Sequence, residues 1–440
     1  MSKHFAGARI RTLRRGRGLT QQDMAKRLGL STSYLNQLEN DQRPLTVTVL
    51  MALSQHFDVD PAFFSPDHDA RTIGALRDAF PTVPDDQLAD LAARYPELVG
   101  QVLELADRAP SPIDDSPYRL VRDFFYDAHN YVHELDLLGE ELARRLGDPQ
   151  LRLTRLATSL DRDLGIVVRF RKITTGPRRV YHPETRELHL RTGLSEAQLC
   201  FELALQYGLT GHEELLREIA AELPTEEARE IAVLALAQYF AAAVVMPYEQ
   251  MLTTAEDVRY DIDRLAVHFG TGFETTCHRL STLNRPGNRG VPFFFVRTDR
   301  AGNISKRQSA TGFHFSRSGG SCPLWVIHRA FETPGRVTRQ VAGMPDGRHY
   351  LWIARTVAGQ IHGFGQPRKE FAVGLGCDLD QAERLVYATG LDLSPGSATP
   401  IGPGCTTCPR ERCPQRAFPH VGRQVVVDLD ATLDFSYTTY

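Results

Sequence analysis

Through the first 60 positions apolar residues recur at helical spacing: Ile10 and Leu13, then Met24, Ala25 and Leu28, then Leu35 and Leu38, then Leu50 and Leu53. Steps of three and four place each set on one helix face. Thr20 precedes QQDMAKRLG, with Asp23 three residues on, which predicts a capped helix start; Gly29 stands where that helix must stop. Ser31 or Thr32 caps a second short helix over 31–40, and Pro44 follows it. Two short helices joined by a tight Gly-containing turn predict a helix-turn-helix.

Residues 73–107 are helical in pattern, interrupted by PTVP at 81–84, and APSPIDDSPY (109–118) marks a hinge. Residues 119–147 read as one long amphipathic helix. The period then changes. Runs at 164–170, 178–182 and 187–191 are β-type and predict a small sheet or hairpin; helical stretches follow at 194–209, 212–223 and 226–247. The most apolar run, IAVLALAQYFAAAVVMP (231–247), is short for a membrane span and holds Gln238 and Tyr239, so a buried core helix is expected and no membrane partner. Beyond 285 the runs VPFFFVR, TGFHFS, PLWVIHR and HYLWIARTV, bounded by Gly, Asn, Asp and Pro, predict an antiparallel β-rich region.

The expected fold class is thus α+β and multidomain. It has an all-α helix-turn-helix unit (1–66), a helical linker and oligomerisation region (67–150), an α+β middle (151–280), a β-rich ligand region (281–372) and a Cys-rich metal-binding segment (373–440).

The 440 residues carry a net charge of -3, with 24% charged and 42% hydrophobic, which excludes wholesale disorder and a uniformly basic chain. The balance hides two basic islands. Residues 1–60 carry +4 and residues 281–340 carry +8, so the remainder is at -15. The second island sets Arg297, Lys306, Arg307, Arg317, His328 and Arg329 beside Phe293, Phe295, Phe313, Phe315 and Trp325. Such a set suits nucleic acid, a nucleotide-bearing small molecule such as coenzyme A, or a basic surface over an aromatic core. The first residues lack an apolar leader, so a cytoplasmic location is expected. Of seven cysteines, Cys405, Cys408 and Cys413 cluster, with Cys377 upstream. Four thiolates suit an iron–sulfur cluster or structural zinc; the closing Cys-Pro favours iron–sulfur.

IRTLRRGRGLTQQDMAKRLGLSTSYLNQLENDQRPLT resembles the Cro/C1-type DNA-binding domain. The resemblance implies that 31–40 is the recognition helix on double-stranded operator DNA. It puts Ser31, Thr32, Ser33, Tyr34, Asn36, Gln37, Asn40 and Arg43 at base edges and phosphates, and Gln21 and Gln22 at a phosphate beside the preceding helix. It also implies that Glu39 ties helices together.

ALAQYFAAAVVMP (235–247) resembles the second signature of the zinc-peptidase-like ImmA/IrrE family. The family's His-Glu-x-x-His falls on FELALQYGL (201–209), where Leu205, Gln206 and Leu209 stand instead. Leu cannot ligate zinc and Gln cannot serve as the base. Neither His133-Glu134 nor His212-Glu213 restores the motif. A degenerate zincin-like scaffold without catalytic residues is therefore expected.

NISKRQSATGFHFSRSGGSCPLWVIHRAF, with the two preceding regions, is similar to the short-chain fatty acyl transcriptional regulators of propionate and glyoxylate/acetate metabolism. This resemblance implies a short-chain acyl-CoA effector and a 4Fe–4S cluster at Cys377, Cys405, Cys408 and Cys413. Lys306, Arg307, Arg317 and His328 are the ligand candidates by chemistry. A homodimer or homotetramer is expected to place its reading helices in successive major grooves. The competing readings are a metal-dependent peptidase acting on a repressor and a DNA-binding adaptor without a small ligand.

Overall fold

The computed structural model describes residues 6–57, 66–80, 83–108, 116–173, 176–311, 313, 315, 320–359, 364–421, 425–426, 430 and 438–439. Helices α1 (Gly7–Gly16), α2 (Gln21–Leu28), α3 (Thr32–Glu39) and α4 (Val47–Phe57) enclose a core of Ile10, Met24, Leu28, Leu35, Leu38, Val49, Leu53 and Phe57. The capping box forms: Thr20 Oγ1 accepts from Asp23 N at 3.2 Å, and Asp23 Oδ2 accepts from Thr20 N at 3.3 Å. Gly29 ends α2 at φ 66°, a left-handed turn that residues with a Cβ resist. Helices α5 (Pro66–Ala79), α6 (Asp85–Arg94) and α7 (Pro96–Arg108) follow, with a small core of Leu76, Leu88, Ala92 and Val99.

The expected long helix over 119–147 is two helices, α8 (Pro117–Asp127) and α9 (His133–Leu146). His129 and Asn130 between them take φ of 51° and 57°. The side chains that hold this break come from far along the chain. Asn284 Nδ2 donates to His129 O at 3.1 Å, and Val132 N donates to Tyr239 Oη at 3.2 Å. Apolar spacing continues across the break, so periodicity alone could not reveal it.

Helix α10 (Arg152–Leu164) leads into strands β1 (Val167–Arg171), β2 (Arg179–His182) and β3 (Glu187–Arg191). Their sheet has the order β1-β3-β2, with β1 parallel and β2 antiparallel to β3. Helices α11 (Glu196–Gly211), α12 (Glu213–Ala220), α13 (Glu226–Val245), α14 (Tyr248–Asp257), α15 (Ile262–Phe269) and α16 (Phe273–Leu280) complete the helical body. By length and composition α13 suffices to cross a membrane, but 67% of its most apolar window is buried within the body. A helix apolar on all sides and covered by protein is a core helix.

Next come β4 (Phe294–Thr298), β5 (Ile304–Ser309), a short helix α17 (Val326–Arg329), β6 (Thr338–Gly343), β7 (His349–Ala358), β8 (Glu370–Asp378) and β9 (Thr399–Pro400). They form one sheet of order β5-β4-β8-β7-β6-β9, antiparallel except at β6/β9. Residue 372 lies inside the central strand β8, so the sheet continues across it. PLWVIHR, expected as a strand, carries α17 instead. Both sheet faces are buried. Phe293, Phe295, Leu351, Ile353, Val373 and Leu375 join the core of the helical body. Phe294, Val296, Tyr350 and Trp352 face a second core with Phe313, Phe315 and Trp325. This double burial explains why FFFV is continuous rather than alternating. Two two-residue strands, β10 (Val425–Val426) and β11 (Thr438–Thr439), pair near the end of the chain.

One buried node ties the body together. Arg279 of α16 and Asp136 of α9 have no exposed side-chain surface, and Arg279 Nη2 donates to Asp136 Oδ1 at 2.6 Å. Tyr239 of α13 donates to Asp136 Oδ2 at 2.6 Å, and Arg279 Nε donates to Met246 O at 2.9 Å. Burial opposes the charge on Arg279, but Asp136 and Tyr239 reverse that and hold its pKa above the ordinary value. Replacing Asp136 by Asn is expected to lower stability by about 3–5 kcal/mol in chemical denaturation, because a buried guanidinium then lacks its carboxylate. The double replacement Asp136→Leu with Arg279→Met should lose less; equal or greater loss would contradict this account.

Candidate functional site

The helix-turn-helix presents α3 with Thr32, Ser33 and Asn36 exposed and Leu35 and Leu38 in the core. Gln22 and Arg43 are exposed too, while Tyr34 and Gln37 are half-buried. Several candidates have structural tasks. Ser31 Oγ caps α3 by accepting from Tyr34 N at 3.1 Å. Asn40 accepts from Arg11 at 2.6 Å and donates to Asn36 O at 2.9 Å. Gln21 Nε2 donates to Glu39 Oε2 at 2.8 Å. Arg43 Nε donates to Gln37 Oε1 at 3.1 Å, so these two side chains are oriented together.

Beneath this surface Glu39 accepts from Arg14 Nε at 2.6 Å and Nη2 at 3.0 Å. Burial would raise the Glu39 carboxyl, but the bonds from Arg14 and Gln21 outweigh it and hold the group below its ordinary value. Glu39 thus fixes α1, α2 and α3 relative to one another, as the resemblance implied.

In α11, Leu205 and Gln206 are buried. The Arg179 guanidinium from β2 donates to Gln206 Oε1 and lies 3.5 Å from the Glu202 carboxylate. Gln206 Nε2 donates to Thr210 Oγ1 at 2.9 Å. A guanidinium–amide network therefore stands where a hydrolytic base would be needed. His212 packs edge-on to Phe240, with centroids 5.0 Å apart, and burial lowers its pKa.

The three ligand candidates among the described residues are not brought together. Lys306 and Arg307 are consecutive in β5 and so face opposite sides of the sheet. Lys306 lies over the Phe295 ring at 6.0 Å, on the helical side. His328 lies on the other side, stacked on Trp325 at 6.4 Å and hydrogen-bonded to Ser321 Oγ at 3.0 Å. Arg317 is outside the described residues.

The cysteines also regroup. Cys377 is buried in β8 opposite Leu351, and burial, Asp378 and Asp380 raise its thiol. Among the described residues no other cysteine acts on Cys377, so this position is a correction to the expected set. The upstream cysteine that stands near Cys405 and Cys408 is Cys322. Burial pushes its thiol up to about 11; N–H groups of Leu324 and Gly402 pull against this, and Cys408 and Cys405 are close enough to add to it. Ala417 N donates to Cys405 Sγ at 3.4 Å. Burial also raises Cys408, opposed by the Arg410 N–H, while Cys413 adds to the rise.

Arg416 ties the loop by donating to Cys405 O at 2.8 Å, Cys408 O at 3.0 Å and Arg410 O. A Cβ on Gly402 would lie 2.5 Å from Cys408 Sγ, so any larger residue there would displace the thiol. Among the described residues no three His, Cys, Asp or Glu side chains form a set that holds a metal ion. Thiols from two segments, three of them receiving backbone N–H bonds, are donors of the type that soft metals take.

Comparison with known proteins divides the chain into three consecutive matches. Residues 10–64 match a helix-turn-helix model, 161–281 the IrrE N-terminal-like domain, and 282–437 the C-terminal domain of the short-chain fatty acyl coenzyme A regulators. The chain is 47% identical to the HTH-type transcriptional regulator PrpR of Mycobacterium tuberculosis, over all of this chain and 96% of that one. It is 41% identical to the propionyl-CoA carboxylase regulator of Cereibacter sphaeroides, over 97% of each. A solved Mycobacterium tuberculosis transcriptional regulator superposes with a TM-score of 0.71 at 50% identity, covering 73% of this chain and 99% of that one.

The chain belongs to the short-chain fatty acyl coenzyme A regulator family. As a member, this regulator is a helix-turn-helix transcription factor and not an enzyme, which agrees with the side chains at 205, 206 and 209. Sequence reasoning missed two features of it, Cys322 and the clamp by Arg416. A signal for the first was present: Cys322, Cys408 and Cys413 are each followed by Pro, whereas Cys377 is followed by Asp.

The Glu39 network yields a pH test. A carboxyl held below its ordinary value of 4.5 contributes stability that is fully present above that value. That stability is lost as pH falls through the lower folded value. Acid unfolding of the N-terminal helices, followed by circular dichroism, should therefore steepen below about pH 4.5. In Glu39→Gln this acid limb should flatten, with about 1–3 kcal/mol lost at neutral pH; an unchanged acid limb would exclude the network as its cause.

Proposed function

We propose that this regulator binds operator DNA through α3 and responds to a short-chain acyl-CoA bound by its C-terminal half. It would thereby control genes of short-chain fatty acid metabolism such as propionate or acetate use. The observation that carries this reading is the continuous order of the three regions, a DNA-reading unit followed by the body and sheet whose family model is named for acyl-CoA. It works in the cytoplasm as a homodimer or homotetramer, with one reading helix per half-site. Gln22, Thr32, Ser33, Asn36, Gln37 and Arg43 make the contacts to DNA. Asn36 and Gln37 are suited to adenine edges, and Arg43 to a phosphate. For the effector to act, it must bind the DNA-competent and DNA-incompetent states with different affinities.

The cysteine loop and Cys322 would hold an iron–sulfur cluster through Cys322, Cys405, Cys408 and Cys413, with structural zinc as the other metal that suits these donors. Such a cluster supplies a covalent brace and a one-electron redox centre. The chain's own part is to deliver N–H bonds to the sulfurs and to hold the loop through Arg416.

Fluorescence anisotropy of promoter DNA, with and without propionyl-CoA, tests the central reading. Affinity should change by about 5–150-fold on adding the thioester, and Asn36→Ala or Gln37→Ala should cost about 1–3 kcal/mol on the operator but not on random DNA. An operator affinity indifferent to acyl-CoA would refute it. For the metal, Cys322→Ala is expected to abolish the iron, sulfide and visible absorbance of anaerobically purified protein, whereas Cys377→Ala keeps them; the reverse result would restore Cys377 as a ligand.

A further inference from the structure

The side-chain amide of Asn36, exposed on α3, has its oxygen taken by the protein itself. Asn36 Oδ1 accepts from Asn40 Nδ2 at 3.0 Å and from Gln21 Nε2 at 3.3 Å. An amide oxygen has two lone pairs, so both are used. The orientation is forced from both ends of this chain of bonds. Arg11 Nη2 can only donate, so the Asn40 atom 2.6 Å from it is Oδ1. Asn40 Nδ2 is then the atom that meets Asn36, where it also donates to the backbone O at 2.9 Å. At the other end Gln21 Nε2 donates to Glu39 Oε2 at 2.8 Å. Glu39 is held below its ordinary value, so at neutral pH it is ionised and can only accept. Neither neighbouring amide can turn over without setting donor against donor or acceptor against acceptor. Asn36 Nδ2 is therefore the atom left to donate, and among the described residues nothing accepts from it.

Gln37, the next residue, differs. Arg43 Nε donates to its Oε1 at 3.1 Å, and among the described residues that oxygen takes no second bond. It keeps a lone pair as well as its N–H groups, so Gln37 can both accept and donate. The distinction bears on base reading. An Asn or Gln pairs bidentately with adenine by donating to N7 and accepting from the N6 amino group. Gln37 has both halves of that pattern, whereas Asn36 has the donor half alone. In the major groove guanine presents O6 and N7 and thymine presents O4, all of them acceptors. Cytosine presents an amino donor, and adenine sets its amino donor beside N7. A donor-only amide matches the first two bases and leaves an unpaired amino group at the other two, which costs affinity.

We propose that Asn36 is a specificity-determining residue that reads guanine or thymine in the major groove, and that Gln21 and Asn40 are positioning residues that impose this by occupying its oxygen. The proposal rests on the reading of DNA through α3 and narrows the adenine match of its amides to Gln37. Glu39 and Arg11 anchor the arrangement, so the bonds that join α1, α2 and α3 also fix one base preference.

Fluorescence anisotropy of the full-length protein on promoter DNA tests the assignment, with each base of one half-site replaced in turn by the other three. The position read by Asn36 is the one whose preference Asn36→Ala flattens. There the unsubstituted protein should favour guanine or thymine over adenine and cytosine by about tenfold. Gln21→Ala combined with Asn40→Ala frees the oxygen, and adenine should then recover most of that loss. Gln21→Met alone frees one lone pair while keeping the bulk of the side chain, and should shift adenine in the same direction. Helical circular dichroism checks that each variant folds, and the preference of the unsubstituted protein decides the matter even where one does not. Adenine or cytosine favoured at that position by the unsubstituted protein overturns the proposal, as does an adenine penalty that persists in both folded variants. If Asn36→Ala flattens no position while Gln37→Ala does, the proposal falls and the α3 reading stands. If neither flattens any position, the α3 reading falls and takes the proposal with it.

Discussion

The body of this regulator depends on a charge pair that water never reaches. Asp136 and Arg279 are brought together from α9 and α16, and Tyr239 of α13 completes the carboxylate's hydrogen bonds. Burying either ion alone would cost several kcal/mol, so each element requires the others in register. Once α9, α13 and α16 are fixed, the break between α8 and α9 is fixed too, because Tyr239 also accepts from Val132 N. The large sheet then packs its Phe293 and Phe295 side on the same core. The node is a source of specificity as much as of stability, since a slipped helix would strand a charge.

The sheet in turn separates two chemistries. One face joins the helical body, where Lys306 and His278 meet across Phe295. The other supports the aromatic core of Phe294, Phe313, Trp325 and Trp352, against which the cysteine loop is anchored. Trp325 Nε1 donates to Gly402 O at 2.9 Å, and Arg410 reaches Gly343 O on β6 at 2.8 Å. The peptidase-like helices contribute the scaffold: at α11 the Arg179–Gln206–Thr210 bonds occupy the place of the lost chemistry and brace β2 against the helix.

What was legible in the sequence was local. The Thr20 capping box, the Gly29 stop and the α2–α3 spacing follow from rules that act within a few residues, and each forms as expected. The absence of His at 205 and 209 likewise needs no structure to interpret, because no packing turns Leu into a metal ligand. Strands β1–β3 and helices α11–α13 were also readable from period. The break at 128–132 was not, because bonds from residues far along the chain overrule the unbroken apolar spacing.

Sequence by itself thus determined the reading helix, the loss of peptidase chemistry and the order of the regions, since capping, helical period and ligand type are properties of short segments. Only tertiary structure decided which distant groups meet. It put Cys322, not Cys377, beside Cys405 and Cys408, and it parted Lys306 from Arg307 although they are adjacent in the chain. The reason is that strand pairing sets neighbours by register and face. A two-residue period sends consecutive side chains to opposite sides of a sheet, while residues from remote strands and helices are brought together.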